Sequence, residues 1–132
     1  MAVDSYDPKK VSVIVDGEFM VGFMDGTFVN CEKNEDNVIP HVGAHGDVTF
    51  AESADDTGTI TITLKHTSAS LPKLRKLSKE KRNFPIQVID ANDSKFKAGG
   101  NECRVLKTPS TEFGAEVSGV EVQVYVADYS AL

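Results

Sequence analysis

Thr57-Gly58-Thr59-Ile60-Thr61-Ile62-Thr63-Leu64 decides the fold class. Threonines hold the odd positions, and Ile60, Ile62 and Leu64 follow at the even ones. A side-chain period of two puts the aliphatics on one face and the hydroxyls on the other. That is an antiparallel strand with one face on a core and a polar face outward.

Upstream, Val11-Ser12-Val13-Ile14-Val15 leads into Asp16-Gly17, and the run from Glu18 to Met24 leads into Asp25-Gly26. Asp-Gly between apolar runs marks a hairpin, because a type I′ turn needs positive φ at both central residues. With Thr27 to Glu32 as a third run, the pattern predicts a three-stranded meander. In it Phe19, Val21 and Phe23 point one way, Met20 and Met24 the other. Lys33 to Asp47 is polar, broken by Pro40, Gly43 and Gly46, and reads as a loop. A loop that long in a small domain is usually functional or disordered. Val48 to Ser53 reads as a short strand.

Downstream, Leu71, Leu74 and Leu77 form a stripe at helical spacing, and the spacing predicts a helix over about 70–82. Ser70 stands where an N-cap belongs, and Pro72 is tolerable in the first turn. Phe84 to Asp90 reads as a strand with Pro85 near its start. Asn92, Asp93 and Ser94 make a turn, Lys95 to Ala98 a short strand, and Gly99-Gly100 a break. Glu102 to Lys107 and Val120 to Ala127 read as strands. The whole is one domain, 1–132, mainly β: an antiparallel sandwich or flattened barrel with one short helix packed on it.

Composition agrees. The 132 residues are 40% hydrophobic and 26% charged, which suits a single folded core. No apolar run approaches the roughly 20 residues that cross a bilayer, and the start lacks the basic and apolar regions of a secretory signal. Cys31 and Cys103 are far apart in sequence, outside any CxxC pattern, and are expected as free thiols. The net charge of −6 opposes tight wrapping of nucleic acid. Between Lys65 and Arg82, however, seven basic residues face only Glu80, a net +6. Such a run is either a solvated helix face or a docking patch for an acidic neighbour.

The residues supply no catalytic constellation. His41 and His45 are four apart but flank Gly43 in a loop, so they assign no zinc site. His66 reads as an exposed or capping side chain at a strand end. GxSxG, GxGxxG and the twelve-residue calcium loop are all missing. No catalytic, cofactor-binding or metal residue is assigned, and an enzyme is not expected.

One resemblance spans nearly the whole chain. Gly22-Phe23, Asp25-Gly26-Thr27-Phe28-Val29, Glu32, Asn34 and Asp36 open it. It continues through Val42-Gly43-Ala44, Gly46-Asp47-Val48-Thr49, the threonine-faced strand, Thr67-Ser68 and Ser70. Phe84-Pro85, Asp90, Phe113-Gly114, Glu116-Val117 and Val126-Ala127-Asp128 close it. Together these resemble a family of bacteriophage structural proteins, the tail tube proteins of contractile-tailed phages. His45 departs from the pattern, where an acidic or small polar residue is expected.

The resemblance implies a virion protein that self-assembles into stacked hexameric rings. Strands of the copies would join into an inner barrel through which DNA passes without specific binding. It implies tail sheath and baseplate proteins as partners, assembly in the host cytoplasm, no membrane and no cofactor. On that reading Asn34, Asp36, Val38, Ile39, His41 and His45 of the long loop are expected to order on stacking and contact the adjacent ring. Phe19, Met20, Met24 and Thr27 are candidates for the lumen-forming sheet. Alternatives are another tail or baseplate ring component, or the tube of a related contractile injection system. A ligand-binding β sandwich is a third, but with no Trp and only three Tyr the chain lacks an aromatic platform.

Overall fold

The threonine-faced stretch forms β6 (Gly58–Lys65), with Ile60, Ile62 and Leu64 buried and its threonines half-buried. It lies between β9 (Gly119–Val126) and β3 (Val29–Lys33), antiparallel to both. β9 obeys the same rule, burying Val120, Val122, Val124 and Val126. The computed structural model describes residues 3–93 and 95–132. Met1 and Ala2, at the start read as signal-free, and Ser94, read as part of a turn, lie outside them.

The remaining strands are β1 (Val11–Val15), β2 (Glu18–Phe19), β4 (Val38–Val42), β5 (Val48–Glu52), β7 (Phe84–Asp90), β8 (Lys97–Val105) and β10 (Ser130–Ala131). The main sheet runs β2-β1-β7-β8-β9-β6-β3, with β10 also on β8. All of its pairings are antiparallel. The sheet curls until Val11 and Val88 on one side and Val29 and Cys31 on the other line a common cavity. It is an open, flattened barrel over one apolar core.

Helix α1 (Leu71–Lys79) caps one end and buries Leu71, Leu74 and Leu77. At about 1.5–3 kcal/mol for each buried leucine, docking is what makes a nine-residue helix stable. It stops short of the expected residue 82. The chain turns extended at Glu80, and Arg82 folds back onto Glu80 and Asp16. Ser70 does not cap the helix. Its hydroxyl instead accepts the Val21 N–H at 2.9 Å, and the Ser68 hydroxyl donates to Val21 O.

That tie explains the first correction, the meander. Asp16-Gly17 is a hairpin turn with both φ values positive, joining β1 to β2. β2 then ends after Phe19, and residues 20–28 cross the open side of the barrel. The crossing is pinned by the Met20 N–H to Val13 O, the Met24 N–H to Thr63 O and the Lys65 N–H to Gly22 O. β3 therefore pairs with β6, not with β2.

The expected break at Gly99-Gly100 is the second correction. β8 runs straight through it, with a bulge between the Phe84 and Ile86 pairings. Gly99 has φ +146, and a Cβ there would stand 2.0 Å from the Ile86 carbonyl oxygen. Only glycine lets the strands approach so closely. The Asp128 carboxylate accepts the Asn101 and Glu102 N–H groups at 3.0 Å, satisfying donors that the bulge frees from the ladder. These bonds hold its pKa below the ordinary carboxylate value.

Candidate functional site

The long polar stretch is not a loop, which is the third correction. Val38–Val42 and Val48–Glu52 pair with each other as a separate two-stranded sheet. Val48 to Ser53 reads as a strand, but in Lys33 to Asp47 Val38 and Val42 read as too sparse a pattern because Pro40 and His41 interrupt the alternation. Register shows what was missed. Val42 faces Val48, Pro40 faces Phe50, and Val38 faces Glu52. Opposed residues share a face, so Val38, Pro40, Val42, Val48 and Phe50 form one apolar surface. Ile39, His41, Thr49 and Ala51 form the other.

No part of this arm joins the core. Both β4 residues and tip are exposed, with Val42 71% and Phe50 64% accessible. A two-stranded hairpin is marginal by itself in water, and exposed apolar patches on this scale mark interaction surfaces.

The root of the arm is clamped. The Asn34 N–H donates to Thr57 O at 3.0 Å and its side-chain amide to Thr57 Oγ1 at 2.9 Å. Thr59 Oγ1 donates to Asn34 Oδ1 at 2.8 Å. Thr57 in turn gives its hydroxyl and its backbone N–H to Asp55, which lowers the pKa of that carboxyl. The Lys33 ammonium donates to Asn37 Oδ1. At the tip the Gly43 N–H bonds Asp47 O at 2.7 Å, and the Gly46 N–H bonds Gly43 O at 3.0 Å. The arm is therefore hydrogen-bonded to the barrel at its root and closed by backbone bonds at its tip.

The six expected stacking residues are thus distributed along one element. Asn34 and Asp36 sit at its root, Val38, Ile39 and His41 on β4, and His45 in the tip turn. The four lumen candidates separate. Phe19 is exposed at the end of the short β2, and Thr27 is exposed beside Asn30, Thr61, Thr63, Glu121 and Gln123. Met24 is half-buried. Met20 is only 5% accessible and packs in the core, on the side opposite the exposed Phe19 and Val21.

Chemistry is scarce elsewhere. Among the described residues no three or more His, Cys, Asp or Glu side chains cluster to hold a metal. No helix there is long and apolar enough to cross a membrane. Cys31 and Cys103 are free thiols whose pKa values are pushed up by burial to about 11 and about 12. His66 is half-buried, accepting the Ser118 N–H at Nδ1 and meeting Phe113 edge to face. It ties the 106–118 connection down.

Known proteins give the arrangement a context. The chain is similar in structure to the tube-terminating cap of the anti-feeding prophage, at 12% identity and TM-score 0.60, over 100% of this chain and 94% of that one. It is similar to a chain of the PVC sheath-tube complex, an extracellular contractile injection system in its extended state. There the identity is 12% and the TM-score 0.62, over 97% and 91% of the two chains. The sheath/tube terminator of the same system matches at 13% identity and TM-score 0.61, over 99% of both. Identities this low show a shared fold. No curated protein sequence matches significantly. A family model described as bacteriophage PhiTE tail tube protein matches residues 12–91, more than half the chain. These are structural tube components and not enzymes. The chain belongs to the bacteriophage PhiTE tail tube protein family.

Proposed function

We propose that this chain is the repeating subunit of a phage tail tube, stacking as hexameric rings around a channel for DNA. The observation that carries the reading is the arm. Its apolar face packs on no core among the described residues, yet its root is hydrogen-bonded to the barrel. An arm held out in one direction fits a surface supplied by another copy. Val38, Ile39, His41 and His45 would contact the adjacent ring, with Asn34 and Asp36 setting the angle at the root.

The sheet margins support the same reading. Among the described residues β3 has a strand neighbour only on its β6 side, and β2 covers only the Ile14–Val15 end of β1. Free edges are hazards in a monomer and joints in a ring. Contacts that close by rotation make the ring, and axial repetition makes an open filament. The face carrying Thr27, Asn30, Thr61, Thr63, Glu121 and Gln123 is polar, and its one charge is the acid Glu121. Toward a lumen it would let phosphates pass without sticking. Phe19, Met20 and Met24 remain candidates for that lumen-forming sheet beside Thr27. Sheath and baseplate proteins would be the external partners, in the virion tail after assembly in the host cytoplasm.

A ring that terminates the tube is the second reading, favoured by the similarity to a cap and a terminator. Electron microscopy of the purified protein at high concentration separates the two. Long hollow filaments support the tube subunit, isolated rings support the terminator, and persistent monomers contradict both.

A further inference from the structure

Charge is split between the two segments that flank β6. From Asn34 to Asp56 the chain holds six acids and no Lys or Arg, a net −6. From Lys65 to Arg82 it holds a net +6. The acidic segment is the arm, which rejoins the barrel where β6 begins at Gly58. The basic segment starts where β6 ends at Lys65 and continues through α1. No ion pair joins the two segments among the described residues, so their opposite charges are not spent on each other within one copy.

Part of the basic pole is already satisfied. Asp16 takes Lys73 at 3.1 Å and Arg82 at 2.7 Å, and Glu80 takes Arg82 at 2.6 Å and Lys76 at a loose 3.8 Å. Lys79 and Lys81 are exposed, with no ion-pair partner among the described residues. Beside this pole Phe19 is also exposed, as apolar as the face of the arm.

We infer that the acidic arm of one copy seats on the basic, α1-capped end of the next, in an axial head-to-tail contact. This rests on the tube reading and names the receiving surface. The two surfaces differ, so the contact is heterologous, and stacked axially it does not close on itself but extends the filament. Complementary potentials fix its register and exclude arm-to-arm pairing.

Two triple variants test it in the full chain. One carries Lys76→Glu, Lys79→Glu and Lys81→Glu; the other carries Asp36→Lys, Asp47→Lys and Glu52→Lys. All six side chains are exposed, so circular dichroism should show both folded. Each alone should raise the critical concentration for tube formation about tenfold or more, since each sets like charges against each other. Mixed one to one, they should co-assemble, because each arm then finds an oppositely charged α1 end. Tubes of the α1 variant at the wild-type critical concentration would overturn the inference and leave the tube reading standing. So would two defective variants that fail to rescue each other. Wild-type protein that never polymerises at low salt would overturn the tube reading and this inference together.

Discussion

Lys73 and Asp16 meet at 3.1 Å across elements far apart in sequence, the first turn of α1 and the β1–β2 turn. Arg82 reaches the same carboxylate at 2.7 Å, so one acid ties the helix, its exit and the first hairpin together. Hydrogen bonds from Arg82, then Lys73, hold its pKa at about 2, down from 3.8. A carboxyl depressed in the folded state stabilises fully above its unfolded pKa and loses that contribution as pH falls through the folded one. Asp16→Asn preserves the turn, because Asn tolerates the φ of 51 found there. It should cost about 1 kcal/mol at neutral pH, the upper end for partly exposed pairs. Urea midpoints of the two proteins should differ above about pH 4 and converge toward pH 2.

Val124 has no accessible surface and stands opposite Ile60 and Val105 in the centre of the sheet. Val124→Asp buries a charge with no partner and should cost more than about 4 kcal/mol, enough to unfold the domain. Gln123→Asp, one residue away on the exposed face, should leave the melting temperature nearly unchanged. Thermal melts by circular dichroism check both.

Gly99→Ala drives a methyl group against the Ile86 carbonyl at a φ that L-residues avoid. A loss of about 3 kcal/mol is expected. Gly114→Ala, with nothing within 4 Å, should be neutral. Chemical denaturation of the pair measures the difference.

With pKa values near 11 and 12, the thiols of Cys31 and Cys103 are protonated at neutral pH. Only the thiolate attacks disulfide reagents. Native protein at about pH 8 should therefore label slowly at both positions, and at both quickly once unfolded.

The sequence carried β6, β7 and β9 openly, because each alternates without interruption and each packs in the sheet interior. α1 was legible from Leu71, Leu74 and Leu77 for the same reason: one face touches the core. What stayed hidden depends on partners distant in the chain. Nothing local says that Ser70 turns away from capping to hold Val21, or that Asp128 satisfies the bulge at Asn101. The arm was hidden because its apolar residues face no core, so its pattern has no burial to enforce it. It was half visible: Val38-Ile39 looked misplaced in a loop, and they lie in β4, paired with the strand read at Val48 to Ser53. The run beyond Phe19 read as strand because it alternates, and only its distant bonds to Val13, Thr63 and Lys65 show it as a crossing.

The arm can be removed without disturbing the barrel. Its two roots are joined by the 3.0 Å bond from the Asn34 N–H to Thr57 O, so replacing residues 36–54 with a short Gly-Ser turn closes the gap without strain. Sedimentation velocity and electron microscopy of that variant beside the wild type are the most direct measurement. A folded monomer with the wild-type melting temperature that forms no filaments at any concentration is the predicted result; filaments of normal length and diameter without the arm would contradict it.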